Sequence, residues 1–205
     1  MKLHTSLRAP NPRRVDMFLI EKGITGIERE VYDLNAGEHR SAKFTAMNPI
    51  ARVPVLELDD GRFLAESRAI CSYLEHLHPE PNLLGVDPVE RAFIEMADRQ
   101  VEMTLLAAVA NHVRHTHPGL LPLENPQFAD YAAEQGKRMV AAAALFDQLL
   151  SQRPWMAGDR FTIADITAFC GLEFARLVKF RPADAGLQHL ADWRERVAER
   201  PSAKL

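Results

Sequence analysis

Two short segments carry residue types suited to capturing a small peptide. Arg52-Val53-Pro54-Val55-Leu56 enters an apolar strand through a Val-Pro bond, and Leu64-Ala65-Glu66-Ser67-Arg68-Ala69-Ile70 ends a strand and opens a helix. X-Pro bonds are the ones that readily adopt the cis form; a cis Val53–Pro54 bond turns the Val53 N–H and C=O outward, toward an extended ligand backbone. A helix opening at Ser67 offers unpaired N–H groups and a hydroxyl to an anion. Glu66 beside it can bind an ammonium. The ligand so described has an extended backbone with a carboxylate and an ammonium at one end.

A second group is histidine-rich: Asn111-His112-Val113-Arg114-His115-Thr116-His117-Pro118-Gly119-Leu120. His112 and His115 have the i, i+3 spacing of a helical metal-ligand pair. No third carboxylate or cysteine ligand accompanies them, and the run ends in Pro-Gly, so no metal is expected. Two readings stay open. The imidazoles either decorate a helix end, where its dipole favours them, or one of them handles a proton or touches substrate. Cys71 and Cys170 lie among apolar residues and read as core; no Cys-x-x-Cys pair exists for dithiol chemistry.

The elements that must position these residues follow from periodicity and punctuation. Lys2–Thr5 reads as a strand. Asn11-Pro12 reads as an N-cap and first helical residue, with Val15, Phe18 and Leu19 as the apolar stripe and Gly23 as the stop. A second strand covers Glu28–Leu34, and Ser41 caps a short helix carrying Phe44 and Met47. Strands over Val53–Leu58 and Arg62–Ala65 flank an Asp59-Asp60-Gly61 turn. The helix from Ser67 shows Ile70, Leu74 and Leu77. The order βαβαββα results, and Pro79-Glu80-Pro81-Asn82 with Gly85 then breaks the pattern.

Everything after Asp87 reads as helix: a long one from Pro88 to about His115, then Pro126–Gln152, one opened by Thr162-Ile163-Ala164-Asp165, and Leu187–Glu199. Thr162 and Asp165 have capping-box spacing, and Phe161 is placed as a staple toward Ile166. The predicted domains are 1–78, a linker 79–86, and an all-helical domain 87–205.

Composition excludes several classes. A net charge of −3 over 205 residues supplies no basic field for nucleic acid or anionic lipid. No apolar run approaches the roughly 20 residues of a membrane span. Two cysteines fit a reducing compartment, and Met1-Lys2-Leu3-His4 leads into structure without a signal-like segment. The expectation is a cytoplasmic protein with neither nucleic acid nor membrane as partner.

The βαβαββα unit followed by a helical bundle, with Val53-Pro54, Glu66-Ser67 and the segment Trp155-Met156-Ala157-Gly158-Asp159-Arg160-Phe161-Thr162-Ile163-Ala164-Asp165, resembles the cytosolic glutathione S-transferase family along essentially the whole chain. The fold class implied is α/β plus all-α, an N-terminal thioredoxin-like domain with a C-terminal helical bundle. The resemblance implies glutathione as co-substrate, a small apolar electrophile as partner, a detoxification role and a homodimer. It gives Val53, before Pro54, the cysteinyl backbone, and gives Glu66 and Ser67 the γ-glutamyl end. His39, Arg40, Lys43 and Arg52 are candidates for the glycine carboxylate, His39 and Arg52 preferred. Met103, Leu106, Ala110, Phe174 and Leu177 are candidate electrophile contacts.

The chain departs from the family where the thiol is activated. A free thiol ionises near pH 8.5, and lowering that by about two units needs roughly 2.7 kcal/mol of preferential stabilisation. Many members place Tyr, Ser or Cys near the first helix; in Thr5-Ser6-Leu7-Arg8-Ala9-Pro10-Asn11-Pro12 the aligned position is Ala9. Asn11, Ser6 and the histidine segment are the substitutes. His115 matches an atypical fungal and bacterial-type group that lacks the usual residue and is thought to work through a histidine-held water; Gly37-Glu38-His39 and Val53–Gly61 also look alike. Asn11 and His115 are the catalytic candidates. Glutathione-dependent disulfide or peroxide reduction, and a non-catalytic binding protein of the same fold, are the alternatives.

Overall fold

The computed structural model describes residues 1–7 and 9–204; Arg8, in the stretch before the first helix, and Leu205, at the end of the expected helical domain, lie outside the described residues. The chain divides into two units, Met1–Pro81 and Asn82–Lys204.

The first unit runs β1 (Lys2–Thr5), α1 (Pro10–Glu21), β2 (Glu28–Val31), α2 (Ala42–Met47), β3 (Val55–Glu57), β4 (Phe63–Ala65) and α3 (Ser67–Leu77). Its sheet order is β2-β1-β3-β4; β1 and β2 are parallel, while β3 is antiparallel to both β1 and β4. The β1–β3 register pairs Leu3 with Leu56 and His4 with Val55. Because side chains alternate along a strand, the first pair faces one side of the sheet and the second the other. Leu3 and Leu56 are buried with Val15 and Phe18 of α1 and Ile70 and Leu74 of α3. Each such side chain contributes about 1.5–3 kcal/mol by leaving water. On the opposite face Val53 and Val55 cluster with Tyr32 and with Phe44 of α2. The Tyr32 and Phe44 rings meet edge-on at 4.8 Å. His4 bridges the Tyr32 hydroxyl (3.1 Å) and Glu57 (3.0 Å), and Tyr32 donates to Glu30 (2.9 Å). Burial, then the Glu30 carboxylate, pushes the Tyr32 phenol up to about 12.

The strands β3 and β4 are shorter than the expected Val53–Leu58 and Arg62–Ala65, and two further boundaries of this unit have identifiable causes. Ala9, not Asn11, is the cap residue of α1, with φ −103° and ψ 145°. A residue before proline is held out of the helical region, so Ala9–Pro10 sets the boundary, Pro10 takes the first helical position and Asn11 the second. The strand expected to reach Leu34 stops at Val31, because the Asp33 carboxylate accepts the N–H groups of Asn35 (2.8 Å) and Ala36 (3.1 Å) and closes a turn. Gly23, just past Lys22, has φ 64° and ends α1 as its position suggested.

The second unit is helical: α4 (Pro88–Gln100), α5 (Ala107–Thr116), α6 (Ala129–Leu150), α7 (Ile163–Ala175) and α8 (Gln188–Ala198), with short 3₁₀ turns. Its centre is α7, buried continuously from Ile163 to Leu172. The long helix from Pro88 is not uniform: Val101–Leu106 is a π-helical segment joining α4 to α5. Within it the Thr104 hydroxyl donates back to the Gln100 carbonyl at 2.5 Å, competing with the backbone ladder. The helix expected from Pro126 starts at Ala129, since the Gln127 amide is engaged with the carbonyls of Arg114 (2.6 Å) and His117 (2.9 Å).

The α7 N-terminus carries the expected capping box. Asp165 Oδ2 accepts from the Thr162 N–H (2.9 Å) and hydroxyl (3.3 Å), and Oδ1 accepts from the Met156 N–H (2.9 Å) and Trp193 Nε1–H (2.8 Å). Asp165 is fully buried. Burial pushes its carboxyl up to about 6 against the pull of those donors. The Phe161 ring meets Trp155 edge-on at 5.5 Å, with the Arg200 guanidinium 3.9 Å from its centre.

Candidate active site

The topology of the first unit brings the predicted binding residues to one end of its sheet. The β3–β4 register pairs Val55 with Ala65, so Val53–Pro54 and Glu66–Ser67 lie at the same end of that hairpin. The β1–β3 register brings the exit of β1, and with it the start of α1, to that end, and the parallel pairing of β1 and β2 adds the exit of β2, which leads to His39. Loops beyond the carboxyl ends of parallel strands are where open α/β sheets bind ligands.

Val53–Pro54 is cis. The preceding loop is braced by Asn48, buried, whose amide donates to the Arg52 carbonyl (2.9 Å) and whose Oδ1 accepts the Ile50 N–H (3.2 Å). The sequence marks Asn48 only as part of the Asn48-Pro49 step that stops α2; its bracing of the Arg52 loop was not anticipated.

Glu66 is exposed and sits at φ 67°, in the left-handed region, as the residue before α3. It makes no side-chain cap to α3. Ser67 is therefore the first helical residue rather than the cap, and the α3 N-terminus is left without a side-chain acceptor. Such an end carries about half a positive charge and amide donors that point outward. Ser67 is 4% exposed, and its Oγ accepts a hydrogen bond from Arg14 Nη1 at 2.8 Å. Arg14 was not anticipated. Its signal is a charged residue one helical repeat before Phe18, on the apolar stripe of α1.

His39 is buried, and among the described residues no partner takes its Nδ1. Burial, followed by the charges of Arg40 and Arg52, holds its pKa below the usual value. The exposed Arg52 thus acts electrostatically on His39. Lys43, the weaker candidate beside it, is instead paired with Glu30 at 2.5 Å.

The α1 N-terminus also lacks a side-chain cap. Pro10 and Pro12 have no N–H, so of the first three helical residues only Asn11 carries a main-chain donor. Asn11 is half-buried. Thr5 and Ser6 are buried at the end of β1 and its exit.

In the second unit His115 lies in the last turn of α5. Its Nδ1 accepts the Phe128 N–H at 3.2 Å, which leaves the proton of the neutral ring on Nε2, 3.8 Å from a Glu124 oxygen. The Phe128 and Tyr131 rings pack against it at 5.8 and 5.1 Å. His112 Nδ1 lies 2.8 Å from the Ala132 carbonyl, and His117 Nδ1 accepts the Gly119 N–H. Each of the three histidines is thus occupied separately, and no group of three metal-binding side chains is found among the described residues. Of the electrophile candidates, Met103 and Leu177 are exposed, Ala110 and Phe174 half-buried, and Leu106 is core beside Gly171. Cys71 and Cys170 are free and buried.

A thioredoxin-like sheet domain carrying an uncapped α3 and a cis proline, joined in sequence to an all-helical unit whose central helix opens on a buried capping box, defines a two-domain class of α/β plus all-α proteins. The glutathione S-transferase N-terminal domain model matches residues 9–77, and the C-terminal domain model residues 105–201. Glutathione S-transferase 2 of Saccharomyces cerevisiae is 36% identical over the whole chain and 88% of its own length. Maleylacetoacetate isomerase of Pseudomonas aeruginosa is 33% identical over 81% of this chain and 77% of its own. A glutathione S-transferase domain-containing protein of Marinobacter aquaeolei superposes over the full length of both chains with TM-score 0.94 and 42% identity. The structure of Gtt2 from Saccharomyces cerevisiae gives 0.92 at 36% identity, covering all of this chain and 99% of the other. The chain belongs to the glutathione S-transferase family, whose co-substrate is glutathione.

Proposed function

We propose that this protein conjugates the thiolate of glutathione to a small apolar electrophile. The observation that carries the reading is the common end of the sheet shared by the cis Val53–Pro54 step and the uncapped α3. In this reading Val53 pairs its main chain with the cysteinyl residue. Ser67 and the α3 N-terminus receive the γ-glutamyl carboxylate, and Glu66, exposed and uncommitted to a cap, receives the ammonium. His39 and Arg52 receive the glycine carboxylate; the unpartnered buried Nδ1 of His39 supports its inclusion.

Asn11 steadies the thiolate with the one main-chain N–H of the first three α1 residues and with its side-chain amide. For His115 the hydrogen bond from Phe128 argues for a donor at Nε2, acting on a water, rather than an acceptor at Nδ1. Electrophile contacts come from the exposed or half-buried Met103, Ala110, Phe174 and Leu177. A homodimer is supported by the exposed apolar row Val89, Phe93 and Met96 on one face of α4. A detoxifying role in the cytoplasm is the setting we propose; two free cysteines fit a reducing compartment, and no described helix is long and apolar enough to cross a membrane.

The test is the ultraviolet thiolate absorbance of bound glutathione against pH in wild type, Asn11→Ala and His115→Ala. A bound thiol ionising well below free glutathione, and higher in either variant, is the expected result. An unshifted wild-type thiol favours a binding protein, the reading that Ala9 supports by offering neither hydroxyl nor thiol. Turnover of a disulfide or peroxide without turnover of aryl halides would assign the reductive chemistry instead. Absence of calorimetric binding at millimolar glutathione ends the proposal.

A further inference from the structure

The α1 and α3 helices are joined by two polar ties with the same sequence offset. Arg14 Nη1 donates to Ser67 Oγ (2.8 Å), and Lys22 Nζ donates to Glu75 Oε2 (2.5 Å) and to the Pro81 carbonyl (2.8 Å). Arg14 precedes Lys22 by eight residues, and Ser67 precedes Glu75 by the same eight. One tie therefore sits near the start of both helices and the other near the end. Both basic side chains are buried. They differ in what they hold: the far tie ends on a carboxylate, whereas the near tie ends on a hydroxyl.

That difference fixes a hydrogen-bond direction. A guanidinium has five donors, no acceptor and a permanent charge. In the Arg14–Ser67 contact the hydroxyl oxygen must therefore accept. A hydroxyl has one proton, and Ser67 must give it to something else. Among the described residues no acceptor takes it. An isolated serine at this position is free to rotate its proton toward the helix carbonyls or to use its oxygen as the acceptor. With Arg14 in place one of its two lone pairs is taken and the guanidinium charge turns its proton away, so it is biased to donate, next to an α3 N-terminus that no side chain caps. The Ser67 hydroxyl and the α3 N-terminus then present a proton and positive potential, which match an ionised carboxylate, while the exposed Glu66 beside them is left for the ammonium.

We infer that Arg14 is a positioning residue for glutathione recognition: it never needs to touch the ligand, but it sets the polarity of Ser67 so that the γ-glutamyl end is selected by its α-carboxylate. The inference rests on the glutathione-binding reading above and assigns a specificity determinant within it. Selection is the point. The gain from a correctly aimed charge-assisted donor is modest, but a site whose donors lack an acceptor discriminates strongly against the ligand that fails to supply one.

The test compares glutathione with its analogue lacking the γ-glutamyl α-carboxylate, 4-aminobutyryl-cysteinyl-glycine, by calorimetry. Wild type, Arg14→Met, Ser67→Ala, the double variant, and Lys22→Met are each titrated with both, and Tm is measured for all. Wild type is expected to prefer glutathione by at least about tenfold, the worth of one hydrogen bond to a charged group. Arg14→Met and Ser67→Ala should each lose most of that preference, and the double variant should lose no more than the larger single loss, since the two act as one unit. In steady state Arg14→Met should raise the KM for glutathione with kcat at saturation little changed. Lys22→Met cuts the other tie and should lower Tm while keeping the preference. If Arg14→Met lowers Tm but keeps the wild-type preference, the residue is a packing element and the inference is overturned. Should Arg14→Met not fold, Arg14→Lys, which keeps a single charged donor, must retain part of the preference, and a full loss of it in the folded variant would also overturn the inference. Wild type that binds neither ligand defeats the underlying functional reading rather than this role.

Discussion

The N-termini of α3 and α7 face the same physical problem and solve it in opposite ways. Every helix starts with amide donors that have no partner of their own. At α7 the problem is closed internally: Thr162 and Asp165 supply the cap, and the same carboxylate also takes Met156 and Trp193. At α3 no side chain caps the helix, Glu66 is held at a positive φ, and the Ser67 hydroxyl is turned into a donor by Arg14. A closed end contributes stability. An open end forgoes that contribution and leaves its donors for a ligand. The difference also explains why each carries its own kind of charge: a buried anion at α7, and a buried cation behind α3.

The largest expected effect breaks the closed end. Asp165→Ala leaves four donors without an acceptor in a site sealed from water. It should destabilise the protein by about 4 kcal/mol, read from urea unfolding. A loss under about 1 kcal/mol would mean that the α7 cap is not what holds this corner.

The pH dependence of the same group sharpens the contrast. The folded carboxyl titrates at about 6, above its ordinary 3.8, so the native state holds this proton more tightly than the unfolded chain. Its contribution is fully present below about pH 3.8 and is lost as pH rises through about 6, on the order of 3 kcal/mol over that window. Wild-type stability minus that of Asp165→Asn, measured from pH 4 to 7, should therefore fall with pH. A difference that is flat or rises would show that the four donors, rather than burial, govern the group.

At the open end the balance shifts: function goes, and stability falls less than at α7. Ser67→Ala should weaken glutathione binding by about ten- to a hundredfold, the range for a hydrogen bond to a charged group, while removing the acceptor of the buried Arg14 Nη1 should lower stability by about 1–2 kcal/mol. A stability loss as large as that of Asp165→Ala would make α3 as structural as α7.

A smaller effect is expected at His39, whose pKa burial lowers. Acidification through that pKa turns a neutral donor into a cation facing a carboxylate. Glutathione affinity should rise by a fewfold as pH falls through this range, with proton uptake on binding seen as a buffer-dependent calorimetric heat. His39→Gln should abolish both. The smallest effect belongs to Lys43, largely exposed and paired with Glu30. Lys43→Ala should change stability by under about 0.5 kcal/mol and leave glutathione affinity unaltered. A tenfold loss of affinity would return it to the site.

Much of this was legible without coordinates. Local signals are short-range, so the Val53-Pro54 step, the Glu66-Ser67 opening, the Thr162–Asp165 box and the Gly23 stop could all be read from residue type and spacing. Boundaries were less legible where two local signals compete: Pro10 and Pro12 both suit a helix start, and Ala9 rather than Asn11 became the cap. The π segment at Val101–Leu106 was not legible, since it is a single short widened stretch inside an otherwise continuous helical pattern.

The sequence by itself determined the βαβαββα order, the helical second half and the residues that offer an anion site, because each depends on neighbours within a few positions. Only the tertiary structure decided what those residues are paired with. Arg14 and Ser67 are separated by 53 positions, as are Lys22 and Glu75. Nothing local records that one buried cation would meet a hydroxyl and the other a carboxylate. That choice is made by the packing of α1 against α3, which takes up one lone pair of the Ser67 hydroxyl and biases its proton toward a ligand.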